Sequence, residues 1–243
     1  MERDDVELEV DGTVAVITIN RPRSRNAISL GTMDLLDKAL ASAAHAGSLV
    51  ITGAGDRAFV SGGDLKELAA IRDEDGALAM ALRMRGVCDR LAEFPGPVIA
   101  ALNGHALGGG AEVAVAADIR VAADDIKIGF TQSTLAIMPA WGGAERLATL
   151  VGRGRALMLA GAGTVLDAGQ AQRIGLIDQV LPRTEFEQGW RSMARSLATA
   201  PARAIKHILA DGTTPQAAAR AFAGLWASDE HWEAVDRMTS RAV

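Results

Sequence analysis

The chain has 243 residues, 49% hydrophobic and 23% charged, which is enough apolar material for a sizeable globular core. Its formal net charge of -5 and scattered basic residues argue against a nucleic-acid partner, because phosphate recognition needs clustered Lys and Arg. A single cysteine, Cys88, excludes an intrachain disulfide and a cysteine-based metal site, and the four histidines show no metal-ligand spacing.

The opening "MERDDVELEV" is acidic and has no apolar signal core, so a cytoplasmic protein is expected. "VELEVDGTVAVITIN" reads as two strands around the Asp11-Gly12 turn. "LGTMDLLDKALASAA" places Met33, Leu35, Leu36 and Leu40 at helical spacing. "SLVITGA" (48–54) is a β-branched strand ending at a glycine, and residues 76–94 form a second long helix after the "SGGD" turn. "PVIAAL" (97–102) is another apolar strand, followed by Gly104 and the triplet Gly108, Gly109, Gly110; "DIRVAA" and "IKIGF" are short strands beyond it. From about Gly142 the pattern turns almost entirely helical. The expectation is an α/β core over residues 1–190 and a helical C-terminal region over 191–243, packing on the core or on a neighbouring subunit.

The stretch 97–117 has roughly the length of a transmembrane helix, but three successive glycines and Glu112 near its middle are costly in lipid. Strand, turn and buried helix is the better reading, and no membrane association is expected.

Two glycine-rich turns carry the chemical signal: "AFVSGGDLKEL" (58–68) and "HALGGGAEVAVAAD" (105–118). Each follows an apolar strand and precedes a helical stretch, where the first amides lack internal partners. Two such ends facing one another would aim two N–H groups at one oxygen, an oxyanion hole; phosphate binding and plain tight turns are the alternatives. Glu112 falls in the first turn of the helix after the second set of glycines. There the helix dipole favours its charge and burial opposes it, a balance suited to proton transfer; a structural acid satisfied by local amides is the alternative. Ser61 has no histidine and acid arranged around it, so a nucleophilic triad is not indicated.

These two turns resemble the signature loops of the crotonase (enoyl-CoA hydratase/isomerase) superfamily. "ITINRPRSRNAIS" (17–29), "PAWGGAERLATLVG" (139–152) and "DAGQAQRIGLIDQVLP" (167–182) agree, so the resemblance runs in order over nearly the whole chain. It implies a spiral of ββα units with a helical C-terminal region, trimers often paired into hexamers, and a coenzyme A thioester as substrate with no separate cofactor. Carried over residue by residue, the oxyanion amides belong to Gly63 and Gly109, and Glu112 matches the first of the family's two catalytic glutamates. Coenzyme A contacts fall on Arg23, Arg25, Ala27, Leu65 and Lys66, with His105 and Trp141 as further substrate-side candidates. Plain surface cations, a structural histidine and core packing are the respective alternatives, and Asp64 is read as a helix cap.

One departure bears on the reaction. Aligned from Pro139, Gly142 and Gly143, the second catalytic glutamate is replaced by Gln132, which has no proton to donate at neutral pH. Two-carboxylate hydration is then impaired, and one acid beside an oxyanion hole suits double-bond migration or decarboxylation of a malonyl-type thioester. "IMPAWGG" with "HALGGGAE" resembles the ethylmalonyl/methylmalonyl-CoA decarboxylase-like branch. Ordinary hydratase activity, and a non-catalytic acyl-CoA-binding or scaffold protein on the same fold, are the other readings.

Overall fold

The computed structural model describes residues 4–210 and 212–240. The chain opens with β1 (Val6–Asp11) and β2 (Val14–Ile19), paired antiparallel as the Asp11-Gly12 turn predicts. A single 3-10 turn (Pro22–Ser24) leads to α1 (Leu30–Ser42), capped by the Ser29 hydroxyl, which accepts from Thr32 N at 3.0 Å. Then follow β3 (Ser48–Gly53), β4 (Ala58–Val60), the four-residue α2 (Leu65–Leu68), α3 (Glu74–Ala92), β5 (Val98–Leu102), β6 (His105–Leu107) and α4 (Gly109–Ala116). β7 (Ile119–Ala123) and β8 (Lys127–Gly129) precede a 3-10 segment at Thr131–Leu135. The remainder is α5 (Gly143–Val151), α6 (Arg153–Ala162), β9 (Val165–Asp167), α7 (Ala168–Arg173), β10 (Gln179–Leu181), α8 (Arg183–Leu197), α9 (Ala200–Leu209), α10 (Pro215–Trp226) and α11 (Asp229–Ser240).

The strands form a six-stranded sheet, β1-β2-β3-β5-β7-β10, and a four-stranded sheet, β4-β6-β8-β9. Among the described residues, only the β1–β2 and β8–β9 pairs are antiparallel. Parallel strands covered on both faces need continuous apolar runs, and β3 and β5 are buried at every residue. α4 packs on β4, β5 and β6 and against α3 and α5, and all of its residues are buried. The site therefore rests on the most enclosed helix of the molecule.

The helical reading beyond Gly142 misses two strands. β9 closes the small sheet against β8, and β10 adds an edge to the large one beside β7. Each has three residues, too short for a period-two pattern to register. The long helix expected at 76–94 starts slightly earlier, capped by Asp73, whose carboxylate accepts from Gly76 N at 2.8 Å. α8 crosses residue 190 unbroken and buries Phe186, Trp190 and Ala194. Among the described residues, no helix is long and apolar enough to cross a membrane.

β10 is tied in by Arg120, whose side chain is only 2% exposed. Its guanidinium donates to Leu176 O and Ala117 O, both at 2.9 Å, and pairs with Asp178 at 2.6 Å. Burial disfavours the charge, so these acceptors are what make it tolerable there. Arg120→Met strands them and is expected to cost on the order of 3 kcal/mol. Urea unfolding measures this, and a midpoint unchanged from wild type would contradict the role.

Candidate active site

The first glycine turn leaves β4 at Val60 and is pinned to the residue after the Arg23–Ala27 loop. Ile28 N donates to Gly62 O and Asp64 N donates to Ile28 O, both at 2.8 Å. This one-residue parallel bridge turns the N–H of Gly63 to the opposite side, free of that ladder. Asp64 caps α2 by accepting from Lys66 N at 3.2 Å, and its other oxygen meets Arg21 Nη2 at 2.9 Å. Burial alone would raise the Asp64 carboxyl, but the Arg21 guanidinium holds it below the usual carboxylate range.

The second turn leaves β6 through Gly108, at φ 56°, and starts α4 at Gly109, whose N–H has no intrahelical acceptor. A methyl group placed on Gly62 would lie 3.4 Å from Gly109 N, so the two turns face one another closely. The structure thus brings Gly63 and Gly109 to one place.

Glu112 lies one turn into α4 and is 2% exposed. Its Oε2 accepts from Trp141 N at 2.7 Å and from Gly143 N at 3.0 Å, and its Oε1 accepts from Gln132 Nε2 at 2.8 Å. Burial pushes the Glu112 carboxyl above its ordinary range, and these donors act against it by stabilising the charged form. A methyl on Gly143 would sit 2.3 Å from Glu112 Cγ, so only glycine lets the main chain approach this closely. Gln132 is also buried, and with its amide nitrogen given to the carboxylate its Oε1 has no protein partner.

Glu112, Gln132, Gly63, Gly109 and Trp141 line one cleft of ≈ 450 Å³. Leu65, Leu68, Ile71, Met80, Ile137 and Met138 make its walls largely apolar. The sequence-predicted cations are placed outside it. Arg25 and His105 line a separate pocket of ≈ 340 Å³ with Arg57 and Ser61, and His105 Nδ1 accepts from Lys127 N at 3.1 Å. Arg23 and Lys66 are exposed and line neither cavity. Ala27 is buried, its carbonyl accepting from Arg21 Nη1.

Several contributors escaped sequence reasoning. The amides of Trp141 and Gly143 hold the carboxylate, yet main-chain roles leave no residue-type signature; the Gly142-Gly143 pair was the available signal. Arg146 was also missed: it donates to Trp141 O at 3.2 Å and to Asp89 Oδ1 at 2.5 Å, bracing the 139–143 turn against α3.

Gln132→Leu removes one donor to the charged form, so the Glu112 titration is expected to move further up in pH. Carboxyl ¹³C NMR titration checks this. A midpoint that stays put or falls would show that Gln132 does not support the ionised acid.

Comparisons with known proteins identify the family. The family model described as enoyl-CoA hydratase/isomerase matches residues 9–224. A short-chain-enoyl-CoA hydratase of Clostridium acetobutylicum is 36% identical over 209 residues, covering 85% of this chain and 80% of that protein. A crotonyl-CoA hydratase of Syntrophomonas wolfei is 38% identical over 193 residues, covering 76% and 72%. The crystal structure of an enoyl-CoA hydratase from Bacillus anthracis superposes with a TM-score of 0.92 at 31% identity, over 98% of this chain and 97% of the other. Matched by the family model over residues 9–224 and sharing its fold with these proteins, the chain belongs to the enoyl-CoA hydratase/isomerase family of the crotonase superfamily.

Proposed function

We propose that this enzyme moves the double bond of an enoyl-CoA thioester through an enolate, using Glu112 as its only carboxylate at the reacting carbons. The observation that carries the proposal is the 2.8 Å hydrogen bond from Gln132 Nε2 to Glu112 Oε1: the side chain beside the acid is an amide, which cannot act as a second acid. The thioester oxygen lies between the N–H groups of Gly63 and Gly109, which stabilise the enolate more than the ground-state carbonyl. Glu112 takes a proton from the α-carbon of a 3-enoyl thioester and returns it to the γ-carbon. No metal or further cofactor enters.

Decarboxylation of an alkylmalonyl thioester would use the same oxyanion pair and needs no base. It would bring a second anion beside Glu112 into a cleft that Arg72 also lines but whose walls are largely apolar, and the apolar walls favour a hydrocarbon acyl group instead. Hydration is kept as the second reading on two observations. The relatives above are named as hydratases, and the unpartnered Gln132 Oε1 is a ready acceptor for a water molecule.

The nucleotide end of coenzyme A is assigned to the Arg23–Ala27 loop and the Arg25, Arg57, His105 pocket, where the cations match phosphate charge. Leu65 at the mouth of the cleft, with Lys66 beside it, would meet the pantetheine arm. α9, α10 and α11 bury none of their residues and expose Ile205, Leu209, Phe222 and Trp226. We assign these faces to contacts between copies in a trimer or a dimer of trimers.

Purified protein is incubated with a 3-enoyl-CoA, crotonyl-CoA, and methyl- and ethylmalonyl-CoA, with products resolved by chromatography and mass. Fastest conversion of the 3-enoyl thioester is expected; fastest hydration, or fastest loss of carbon dioxide, would replace the proposal. Glu112→Gln is expected to abolish migration, while Gln132→Glu raises hydration of crotonyl-CoA. Because the base must be ionised and burial raises its pKa, the migration rate falls as pH drops through a midpoint above the ordinary carboxylate range. A midpoint at or below that range would contradict Glu112 as the base.

A further inference from the structure

Among the described residues, Trp141 is the one aromatic side chain lining the cleft. A methyl placed on Gly109 would lie 2.1 Å from Trp141 Cζ3 and 2.5 Å from Cη2; one placed on Gly63 would lie 3.9 Å from Cη2 and Cζ2. The six-membered edge of the indole thus spans both glycines whose amides receive the thioester oxygen. An acyl group whose carbonyl oxygen met those amides would carry its α-carbon one bond from the carbonyl, on the stretch of cleft that this ring edge lines.

The main chain that carries the ring is held in place. Its residue is fixed at both ends of the main chain, N–H to Glu112 Oε2 at 2.7 Å and carbonyl to Arg146 Nη1 at 3.2 Å. Arg146 is anchored in turn to Asp89 on α3. The indole is buried, wedged against Gly109 rather than projecting into solvent. The cleft is also bounded by Ile137 and Met138, both exposed and on an irregular segment, so it yields more readily there.

We infer that Trp141 is the specificity-determining residue for bulk at the α-carbon of the acyl group: its fixed indole edge admits unbranched acyl-CoA thioesters and rejects those carrying an alkyl branch next to the carbonyl. The inference rests on the acyl-CoA reading of the cleft but not on which reaction follows. The same residue joins substrate shape to proton transfer, since the main chain that carries the ring also supplies a hydrogen bond to Glu112. A steric wall of this kind discriminates by about 10- to 200-fold per misplaced carbon.

The test uses unreactive saturated thioesters and calorimetric binding to the intact protein. The ligands are butyryl-CoA, 2-ethylbutyryl-CoA and decanoyl-CoA, and the proteins are wild type, Trp141→Leu and Trp141→Phe. Wild type is expected to prefer butyryl- over 2-ethylbutyryl-CoA by at least about 10-fold. Trp141→Leu should erase most of that preference while leaving the decanoyl-to-butyryl ratio within about 2-fold, and Trp141→Phe should move the same way by less. If Trp141→Leu does not fold, the Phe variant alone decides by that smaller shift. An unchanged branch preference in a folded variant overturns the inference, as does an equal gain for decanoyl-CoA, which would place the wall at the chain's end. Failure of every thioester to bind wild type would instead overturn the acyl-CoA reading itself.

Discussion

The constraint on which the site depends is the enclosure of one carboxylate inside an almost wholly apolar helix. Glu112 is tolerable on α4 because two main-chain amides from a different segment, at Trp141 and Gly143, reach its Oε2, and Gln132 reaches its Oε1. Everything nearby follows from letting that segment come close. Gly143 has no side chain where one would strike Glu112, Gly109 has none where one would strike the indole, and Arg146 ties the turn to α3. Burial of α4 against two sheets in turn requires the continuous apolar strands that read so clearly along the chain.

The electrostatic outcome is a compromise between burial and hydrogen bonding. Burial raises the Glu112 pKa, and three donors restrain the rise without cancelling it. A glutamate at position 132 would put a second negative charge beside the first, and the pair would share protons. An amide gives instead a fixed direction of donation, with its nitrogen toward the acid and its oxygen left unpartnered in the buried wall of the cleft. A Gln132→Glu exchange would therefore change how many protons this pair can hold, while the main-chain N–H groups of Gly63 and Gly109 would be untouched.

Most of this was legible because it is written in residue types with strong local preferences. The glycine turns, the acid one turn into a helix, the Asp64 cap and the long amphipathic helices all rest on sterics or periodicity. β9 and β10 were missed because three residues carry no period, and their pairing is decided by distant partners, β8 and β7. Charge alone does not say which cations face a cavity: Arg23 and Lys66 are exposed and line neither, whereas Arg57 and Arg72, which no motif singles out, line one each. The clamp on Glu112 was invisible for another reason, since an amide N–H belongs to every residue except proline.

A site whose anion-handling groups are peptide N–H groups is damaged by adding atoms and hardly at all by exchanging them. Glycine at 109 and 143 is held in place by negative steric demand, while residues such as Leu65, Ile137 and Met138 can drift through many identities without touching the charge-stabilising apparatus. Such a scaffold can be redirected to new acyl groups by few substitutions, because the part that lowers the barrier and the part that chooses the molecule are encoded by different kinds of atoms.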